Sequence, residues 1–351
     1  MKFDFDDILI KPAVLTNINS RSEIDPTTMD DMLPLFTAPM DTVVCDDNVD
    51  YFINAGITTI LPRKQNIDSS YISTNKNCWY AYGLNEFRDV FLLSTPDNRG
   101  AEMYALIDVA NGHMPALKTA LIEAKEKYGD QIIIMVGNIA NPYTYVELSN
   151  AGADYIRIGI GNGGGCLTTQ QTGIGYPMAS LISECRKIKT TKPNVNTKIV
   201  ADGGFKKYSD VIKALALGAD FVMLGSILNK CLESAGETTK HRESTLGGYE
   251  VVNQFSEEVR KMFDVDIPLF KTFRGMSTKE VQMSWGKENL TTSEGVVRTQ
   301  KVEYTIEGWV DNFESYLKSA MSYTNKKELH HFIGGVKYNH ISMNAFRRFD
   351  K

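Results

Sequence analysis

The amino-acid sequence predicts an α/β protein with a single (β/α)8, or TIM-barrel, domain over residues 1–351. Eight short apolar segments recur along the chain, and stretches with helical periodicity separate several of them. Several segments are apolar throughout, as expected of parallel strands covered on both faces. Eight such units in one chain of this size favour a closed barrel over an open doubly wound sheet. An open dinucleotide-binding sheet should also carry GxGxxG directly after its first strand, and this chain does not.

The apolar segments place the strands in chain order. Strands are predicted at residues 35–38, 57–61, 90–93, 104–109, 132–136, 155–158, 198–201 and 221–224. Helices are predicted at residues 116–128, 143–151, 176–190 and 208–217, and an outer amphipathic helix within 310–321. The third helix begins just before Pro177, and a proline suits a first helical turn because the N–H that it lacks has no partner there.

Composition and charge exclude several classes of protein. The net charge of -5 provides no overall positive field for binding nucleic acid or an anionic membrane. Mean hydropathy is -0.24, and no apolar run approaches the roughly 18 residues of a membrane span. The acidic N-terminal segment is not typical of a signal peptide. The five cysteines lack CxxC spacing, which indicates a reduced, cytoplasmic protein without structural zinc.

Polar and glycine-rich residues follow the predicted strands and should converge at the C-terminal rim of the barrel, where active sites form. They lie at 40–42, 63–64, 108–112, 137–138, 159–166, 202–204 and 225–226. The loops after strands seven and eight contain Gly203, Gly204, Gly225 and Ser226, and loops at these positions commonly bind phosphate. Asp202 could accept hydrogen bonds from ribose hydroxyls. The alternative is a pair of tight turns with a capping aspartate.

The segment IRIGIGNGGGCLTTQQTGIGYP at 156–177 contains the strongest catalytic candidate. Five glycines between 159 and 165 lead into Cys166, and a loop so rich in glycine is costly to order and rarely kept for packing. Backbone N–H groups or a helix terminus can stabilise a thiolate there, making it nucleophilic. The hydroxyls of Thr168 and Thr169 can relay protons. The other four cysteines lie in apolar or helical contexts that predict packing roles.

Residues 270–304 are predicted to form a C-terminal flap or active-site loop, because much of the segment is polar and lacks a clear period. Glu294, within TTSEG, could act as a general acid or base once the flap closes. The alternative is a solvated loop carboxylate. The five histidines show no HExxH or similar ligand pattern.

Several spans resemble the family that comprises the IMP dehydrogenases and GMP reductases. They are FDFDDILIKP at 3–12, APMDTV at 38–43, GIGNGGGCLTT at 159–169, ADGG at 201–204, ADFVMLGS at 219–226 and FRGMS at 273–277. The resemblance covers essentially the whole chain in order. It implies a (β/α)8 barrel, a homotetramer, and attack by the cysteine on C2 of a purine ring.

Other features resemble the reductase branch of this family. About 45 residues separate Arg63 from Asp108, which leaves no room for the regulatory (CBS) insertion common in dehydrogenases. The flap between Ser277 and Glu294 lacks the Arg-Tyr pair that dehydrogenases use to activate water. NSRSEID at 19–25, IDVANGH at 107–113 and TGIGYP at 172–177 are also similar to reductase elements. This branch implies NADPH-dependent conversion of GMP to IMP and ammonia in purine interconversion and salvage.

The resemblance also assigns roles to residues. It implies Cys166, Thr168 and Glu294 as catalytic groups. Substrate-binding residues would be Met40, Asp202, Gly203, Gly204, Gly225, Ser226, Gly275, Met276, Ser277, Ser293 and Gly295. Cofactor-binding residues would be Ser20, Arg21, Arg63, Asp108, Val109, Ala110, Ile160, Gly161 and Ser319, with Arg21 and Arg63 or Lys64 meeting the 2′-phosphate. Gly161, Gly163 and Cys166 would supply a potassium site.

The chain departs from the family pattern at several positions. A serine common two residues before the catalytic cysteine, where it contacts phosphate, is Gly164 here. The basic residue expected three after the cysteine is Thr169. The arginine expected just before SEG at 293–295 is not found, and Thr291 is there. Two alternatives remain: an IMP dehydrogenase that uses NAD+ and water, and a non-catalytic barrel that binds purine nucleotides. The second would predict a degraded nucleophile.

Overall fold

Fourteen strands are present in the computed structural model, which describes residues 2–192, 195–242, 248–276, 278–284 and 295–349. They are β1 (Ile8–Ile10), β2 (Leu35–Thr37), β3 (Thr59–Leu61), β4 (Cys78–Tyr82), β5 (Met103–Asp108), β6 (Ile132–Ile139), β7 (Tyr155–Ile158), β8 (Lys198–Asp202), β9 (Phe221–Leu224), β10 (Thr238–His241), β11 (Tyr249–Val252), β12 (Leu269–Arg274), β13 (Val297–Lys301) and β14 (Tyr338–His340). Strands β2 to β9 form one parallel sheet in the order β2-β9-β8-β7-β6-β5-β4-β3. A parallel bridge between Phe36 and Thr58 joins its two edges. The predicted (β/α)8 barrel is confirmed.

Thirteen α-helices surround or extend this sheet within the described ranges. They are α1 (Val49–Asn54), α2 (Leu84–Phe87), α3 (Pro115–Tyr128), α4 (Pro142–Asn150), α5 (Thr168–Thr172), α6 (Met178–Thr191), α7 (Tyr208–Leu217), α8 (Ser226–Asn229), α9 (Glu257–Asp264), α10 (Lys279–Ser284), α11 (Ile306–Tyr323), α12 (Leu329–Phe332) and α13 (Met343–Phe349). The connection from β3 to β4 carries no helix, so two barrel strands follow one another directly there. None of these helices combines the length and apolar character needed to cross a membrane.

The third predicted strand, at residues 90–93, is wrong. Residues Arg88–Leu93 continue α2 as a π-helical turn, and the strand in this position is Cys78–Tyr82. Phe91 packs edge-on against Tyr82, with 5.3 Å between ring centroids, so the apolar run covers the strand instead of forming it. A short apolar run alone does not separate a buried strand from a buried helical turn.

Two apolar layers stabilise the barrel. The interior is filled by buried side chains of the strands and of Ala38, the residue after β2. The strand residues are Phe36, Ile60, Trp79, Ala81, Leu106, Met135, Val200 and Met223. A larger cluster lies between the strands and the surrounding helices, and Phe52, Phe87, Phe313 and Phe332 are fully buried in it. A filled interior leaves the loops at the strand ends as the place where a ligand can bind.

An antiparallel sheet in the order β11-β10-β12-β13 follows the barrel. Its strands β12 and β13 pair with Phe273 opposite Arg298 and Arg274 opposite Val297. The ends of the segment predicted as an irregular flap are therefore strands, although its polar composition carried no clear period. Residues 277 and 285–294, which belong to the predicted flap, lie outside the described residues.

Lys271 on β12 is fully buried, and its ammonium donates to the carbonyl oxygens of Ser234, at 2.5 Å, and Gly236, at 3.4 Å. It also donates to the hydroxyl of Thr238 at 2.9 Å. Burial lowers the pKa of Lys271 from 10.5 to about 7, because the charged form loses its hydration. Above pH 7 the folded protein therefore binds fewer protons than the unfolded chain.

We expect Lys271→Met to abolish a pH dependence of stability. Between about pH 7 and 10.5 the unfolded chain keeps the Lys271 proton while the folded protein has released it, so the parent's unfolding free energy should rise with pH. As the pH rises, the unfolding free energy of the parent should increase relative to that of the variant by up to about 1.4 kcal/mol per pH unit. Urea unfolding at pH 7, 8 and 9 measures it. Lys301→Met, at an exposed position, is the control, and a constant difference would contradict the prediction.

Candidate functional site

Four polar side chains meet where strands β5 to β8 end. The Arg157 guanidinium on β7 lies 2.8 Å from an oxygen of Asp108 and 3.2 Å from an oxygen of Asp202. The amide of Asn138 donates to Asp202 at 2.7 Å and to the carbonyl of Gly159 at 2.7 Å. Burial raises the pKa of Asp202, while Arg157 and then Asn138 oppose the shift. The network holds the two predicted acidic residues in one place.

Arg157 is the main residue that sequence reasoning misses, although Asn138 was expected at this rim without a role. Arg157 is only 8% exposed and lies between apolar neighbours in the strand sequence YIRI. A charged residue inside an otherwise apolar parallel strand must be paired, because an isolated buried charge is too costly. That rule could have identified it from the sequence.

Cys166 lies at the end of the glycine-rich loop after β7, two residues before the start of α5. Its Sγ donates to the Oγ1 of Thr168 at 3.2 Å, and its backbone N–H donates to the carbonyl of Gly163 at 3.0 Å. The residue is half-buried. The structure thus brings the predicted nucleophile and the first member of the predicted proton relay into hydrogen-bond distance.

The four other cysteines differ in environment. Burial raises the pKa of the thiols of Cys45, Cys78, Cys185 and Cys231. Cys78, Cys185 and Cys231 are buried among apolar side chains. A raised pKa keeps a thiol protonated and unreactive at neutral pH, which agrees with the packing roles predicted for these residues.

The hairpin of β12 and β13 is bonded to the Cys166 loop through three glycines. Cys166 and Gly295 form an antiparallel bridge, and Val296 donates its N–H to the carbonyl of Gly165 at 3.0 Å. A Cβ on Gly275 would lie 2.4 Å from that same carbonyl oxygen, so only glycine allows this approach. Ser277, Ser293 and Glu294 lie outside the described residues, but Gly295, the next residue after Glu294, is paired with Cys166.

The predicted phosphate loops converge beside the Cys166 loop. Gly203 and Gly204 have φ angles of 91° and 89°, which glycine adopts without strain. A Cβ on Gly203 would lie 2.8 Å from the backbone nitrogen of Gly163, so the two loops are in close contact. A Cβ on Gly164 would lie 3.5 Å from the hydroxyl of Ser226, the first residue of α8. On the other side, Gly225 borders the sulfur of Met40, 3.0 Å from where its Cβ would be.

The carbonyls predicted to hold potassium lie in a tightly packed loop. Gly161 has a φ of 77°, and its Cβ would overlap with the Thr169 hydroxyl at 1.7 Å. That hydroxyl donates to the carbonyl of Ile174 at 2.7 Å. Thr169, which stands where the family pattern has a basic residue, therefore stabilises the conformation of this loop. The Gly163 carbonyl accepts a hydrogen bond from the N–H of Cys166 at 3.0 Å.

Two basic residues predicted to meet the cofactor are in ion pairs. Arg63 lies 2.7 Å from Glu86, and Lys64 lies 2.7 Å from Asp46. Val109, after Asp108, is bonded through its backbone to Gly137 and Asn138 at the same rim as Arg157. Ala110 follows it, and Ile160 begins the loop after β7.

Arg21 and Ser319 lie elsewhere on the surface. Ser20 caps a 3-10 turn at Arg21–Glu23, and Arg21 faces a groove of about 380 Å³ with Asp311, Glu314 and Lys318 of α11. Ser319 is half-buried on α11. The structure therefore places these two predicted cofactor residues on or beside an outer helix, apart from the loops that follow the barrel strands.

Comparison with known proteins finds a matching family and several similar sequences. The model of the IMP dehydrogenase / GMP reductase domain matches residues 99–349. The chain is similar to GMP reductase 2 from Bos taurus, with 31% identity over 256 residues that cover 68% of this chain and 71% of the relative. It is also similar to GMP reductase 2 from Mus musculus, with 27% identity over 350 residues, 94% of this chain and 91% of the relative. Inosine-5'-monophosphate dehydrogenase from Chlorobaculum parvum is 42% identical over 132 residues, 38% of this chain and 26% of that protein.

Proposed function

The chain belongs to the IMP dehydrogenase / GMP reductase family, and we propose that it catalyses the NADPH-dependent reductive deamination of GMP to IMP and ammonia. The observation that carries the proposal is the contact between the Cys166 thiol and the Thr168 hydroxyl, next to the bridge between Cys166 and Gly295. A nucleophile, a hydroxyl and the residue adjoining Glu294 are thus assembled at one loop. A non-catalytic barrel would have no need of this arrangement.

Covalent catalysis divides a difficult displacement into two steps. The Cys166 thiolate adds to C2 of the guanine ring, and the C2–N bond then breaks with loss of ammonia. The departing amine needs a proton, because amide ion is a poor leaving group, and we assign its delivery to Thr168 and Glu294. The thioimidate left on Cys166 is electrophilic at C2. Addition of hydride at C2, followed by breakage of the C–S bond, gives IMP and returns the thiolate.

NADPH would supply that hydride. The described residues fit a nicotinamide at the ends of β5 to β7, because the buried Nη1 of Arg157 has no hydrogen-bond partner there. A carboxamide oxygen could accept a hydrogen bond from this Nη1, with Asp108 held alongside by the same guanidinium. Arg21 remains our candidate for the 2′-phosphate; its position beside α11 means that the cofactor would have to extend over the rim or meet Arg21 of another copy.

Three further features are proposed on the basis of the family. We propose a cytoplasmic homotetramer in which the carbonyls of Gly161, Gly163 and Cys166 bind potassium. Because a carbonyl oxygen has two lone pairs, the hydrogen bond that the Gly163 carbonyl accepts from Cys166 is compatible with such an ion. Light scattering on the purified protein tests the tetramer, and rates in potassium and in lithium salts test the ion.

One absorbance assay tests the reaction. With GMP and NADPH, absorbance of the reduced cofactor at its nicotinamide band should fall, and IMP and ammonia should appear in equal amounts. NADH should be a poorer donor. The matched assay contains IMP and NAD+, because the dehydrogenase branch also shares identity with this chain. Turnover of IMP with NAD+ in the absence of turnover of GMP would reject the reductase in favour of a dehydrogenase.

A further inference from the structure

Arg298 is an exposed cation beside the phosphate loops. It lies on β13 opposite Phe273 of β12, and its guanidinium carbon is 4.8 Å from the centroid of the Phe273 ring. No ion pair involving it occurs within the described ranges. Stacking on an aromatic ring holds a guanidinium in a fixed plane while its N–H groups stay available for an anion. The residue has no part in the reaction chemistry described above.

The direction of the side chain is set by its strand. Side chains two residues apart on a strand lie on the same face, so Arg298 shares a face with Gln300. Gln300 donates to the buried Asn229 at 2.7 Å, and Asn229 is the last residue of α8. Asn229 in turn donates to the carbonyls of Thr42 at 2.7 Å and Thr272 at 3.1 Å. This face of β13 is therefore held against the short helix that begins with Ser226.

Gly164 marks the point where these groups meet. A Cβ placed on Gly164 would lie 3.3 Å from an Nη of Arg298 and 3.5 Å from the Ser226 hydroxyl. Gly164 is also where a phosphate-contacting serine stands in the sequences that this chain resembles. The guanidinium of Arg298 therefore lies close to where the hydroxyl of a serine at position 164 would be, next to the loop of Gly203 and Gly204.

We propose that Arg298 binds the 5′-phosphate of the purine nucleotide, in place of the serine hydroxyl absent at Gly164. The inference rests on the proposed function, since it concerns the phosphate of the same substrate. A guanidinium suits a phosphate because it can donate two parallel N–H bonds and carries the opposite charge. Ser226 and the glycine N–H groups provide the other donors, and Phe273 keeps the guanidinium plane in position.

The test compares ligands with and without phosphate in binding measurements. Arg298→Ala should weaken the binding of GMP by about 10- to 100-fold, which is the range for a charge-assisted contact. It should weaken the binding of ribose 5-phosphate by the same factor. The affinity for guanosine, which lacks the phosphate, should change by less than about twofold. Lys301→Ala is the matched control, because it removes the same charge from the opposite face of β13 and should change none of the three.

A second substitution distinguishes a phosphate contact from a general weakening of the hairpin. Gly164 has no positive φ, so its backbone accepts a serine. In the parent a serine Cβ would crowd Arg298, but in Arg298→Ala the space is open. Gly164→Ser should therefore restore part of the GMP affinity lost in Arg298→Ala and leave guanosine unchanged.

The outcomes separate this inference from the function on which it rests. The phosphate role would be overturned if Arg298→Ala lost affinity for GMP and for guanosine by the same factor. It would also be overturned if Arg298→Ala and Lys301→Ala had the same affinity for GMP. If the parent reduces GMP and Arg298→Ala keeps its GMP affinity, only the inference is wrong. If the parent neither binds nor reduces GMP, the proposed function fails, and the inference falls with it.

Discussion

Cys166→Ala should lose GMP turnover by roughly 10⁴- to 10⁶-fold, because no other described thiol lies in this loop and no other group there can form the covalent bond to C2. GMP binding should change by no more than about twofold, since we assign phosphate and ribose binding to other loops. The expected signature is a protein that binds GMP, titrated by calorimetry, and consumes no NADPH.

Cys45→Ala is the matched control. Cys45 is the other half-buried thiol, and burial raises its pKa, so its loss should leave the rate within about twofold of the parent. Mass spectrometry of the parent denatured during turnover should also find the purine on the peptide that contains Cys166. Turnover by Cys166→Ala above about 1% of the parent rate would reject covalent catalysis by this residue.

The barrel could be predicted from the sequence because its strands are buried on both faces. Residues 132–136, 155–158 and 221–224 are apolar through most of their length, and each lies in a strand of the sheet. The segment at 90–93 is equally apolar but covers a strand as a helical turn. The difference comes from the packing of Phe91 against Tyr82 of the neighbouring strand, a tertiary contact that local sequence does not encode.

The candidate site was predicted best where one loop carries the chemistry. Cys166 and Thr168 are two residues apart, so their contact follows from local structure. Arg157, Asp108 and Asp202 come from three strands, and their meeting depends on strand order and register. Similarly, the sequence predicts Arg63 as a residue that meets a cofactor phosphate, whereas its pairing with Glu86, 23 residues away, depends on how the loop after β3 packs against α2.

The hairpin of β12 and β13 shows a different limit of sequence reasoning. Its alternation is visible in the burial of Leu269, Lys271 and Phe273, but a lysine at a buried position hides the apolar pattern. The same lysine is satisfied by the turn at 234–238, which only the fold brings near. A polar residue in a core position thus made a regular strand resemble an irregular flap.

Glu294→Gln should slow deamination by roughly 10²- to 10⁴-fold, because glutamine keeps the shape of the side chain but cannot deliver the proton that the leaving amine needs. Glu294 itself lies outside the described residues, and the argument rests on Gly295, which pairs with Cys166. Glu303→Gln is the control. It removes a carboxylate that pairs with Lys230 at 2.8 Å, outside the site, and it should leave the rate of deamination nearly unchanged.

An analogue of GMP with chlorine at C2 in place of the amino group separates the two roles. Cys166 can displace chloride without protonating it, and the resulting thioimidate is the same one that GMP gives, so hydride addition again yields IMP. Glu294→Gln should therefore recover much of the parent rate with this analogue, measured as NADPH consumed and chloride released, while Cys166→Ala stays inactive. If the analogue rescues neither variant, or if Glu294→Gln reduces GMP at the parent rate, Glu294 is not the proton donor and the relay through Thr168 must end on another acid.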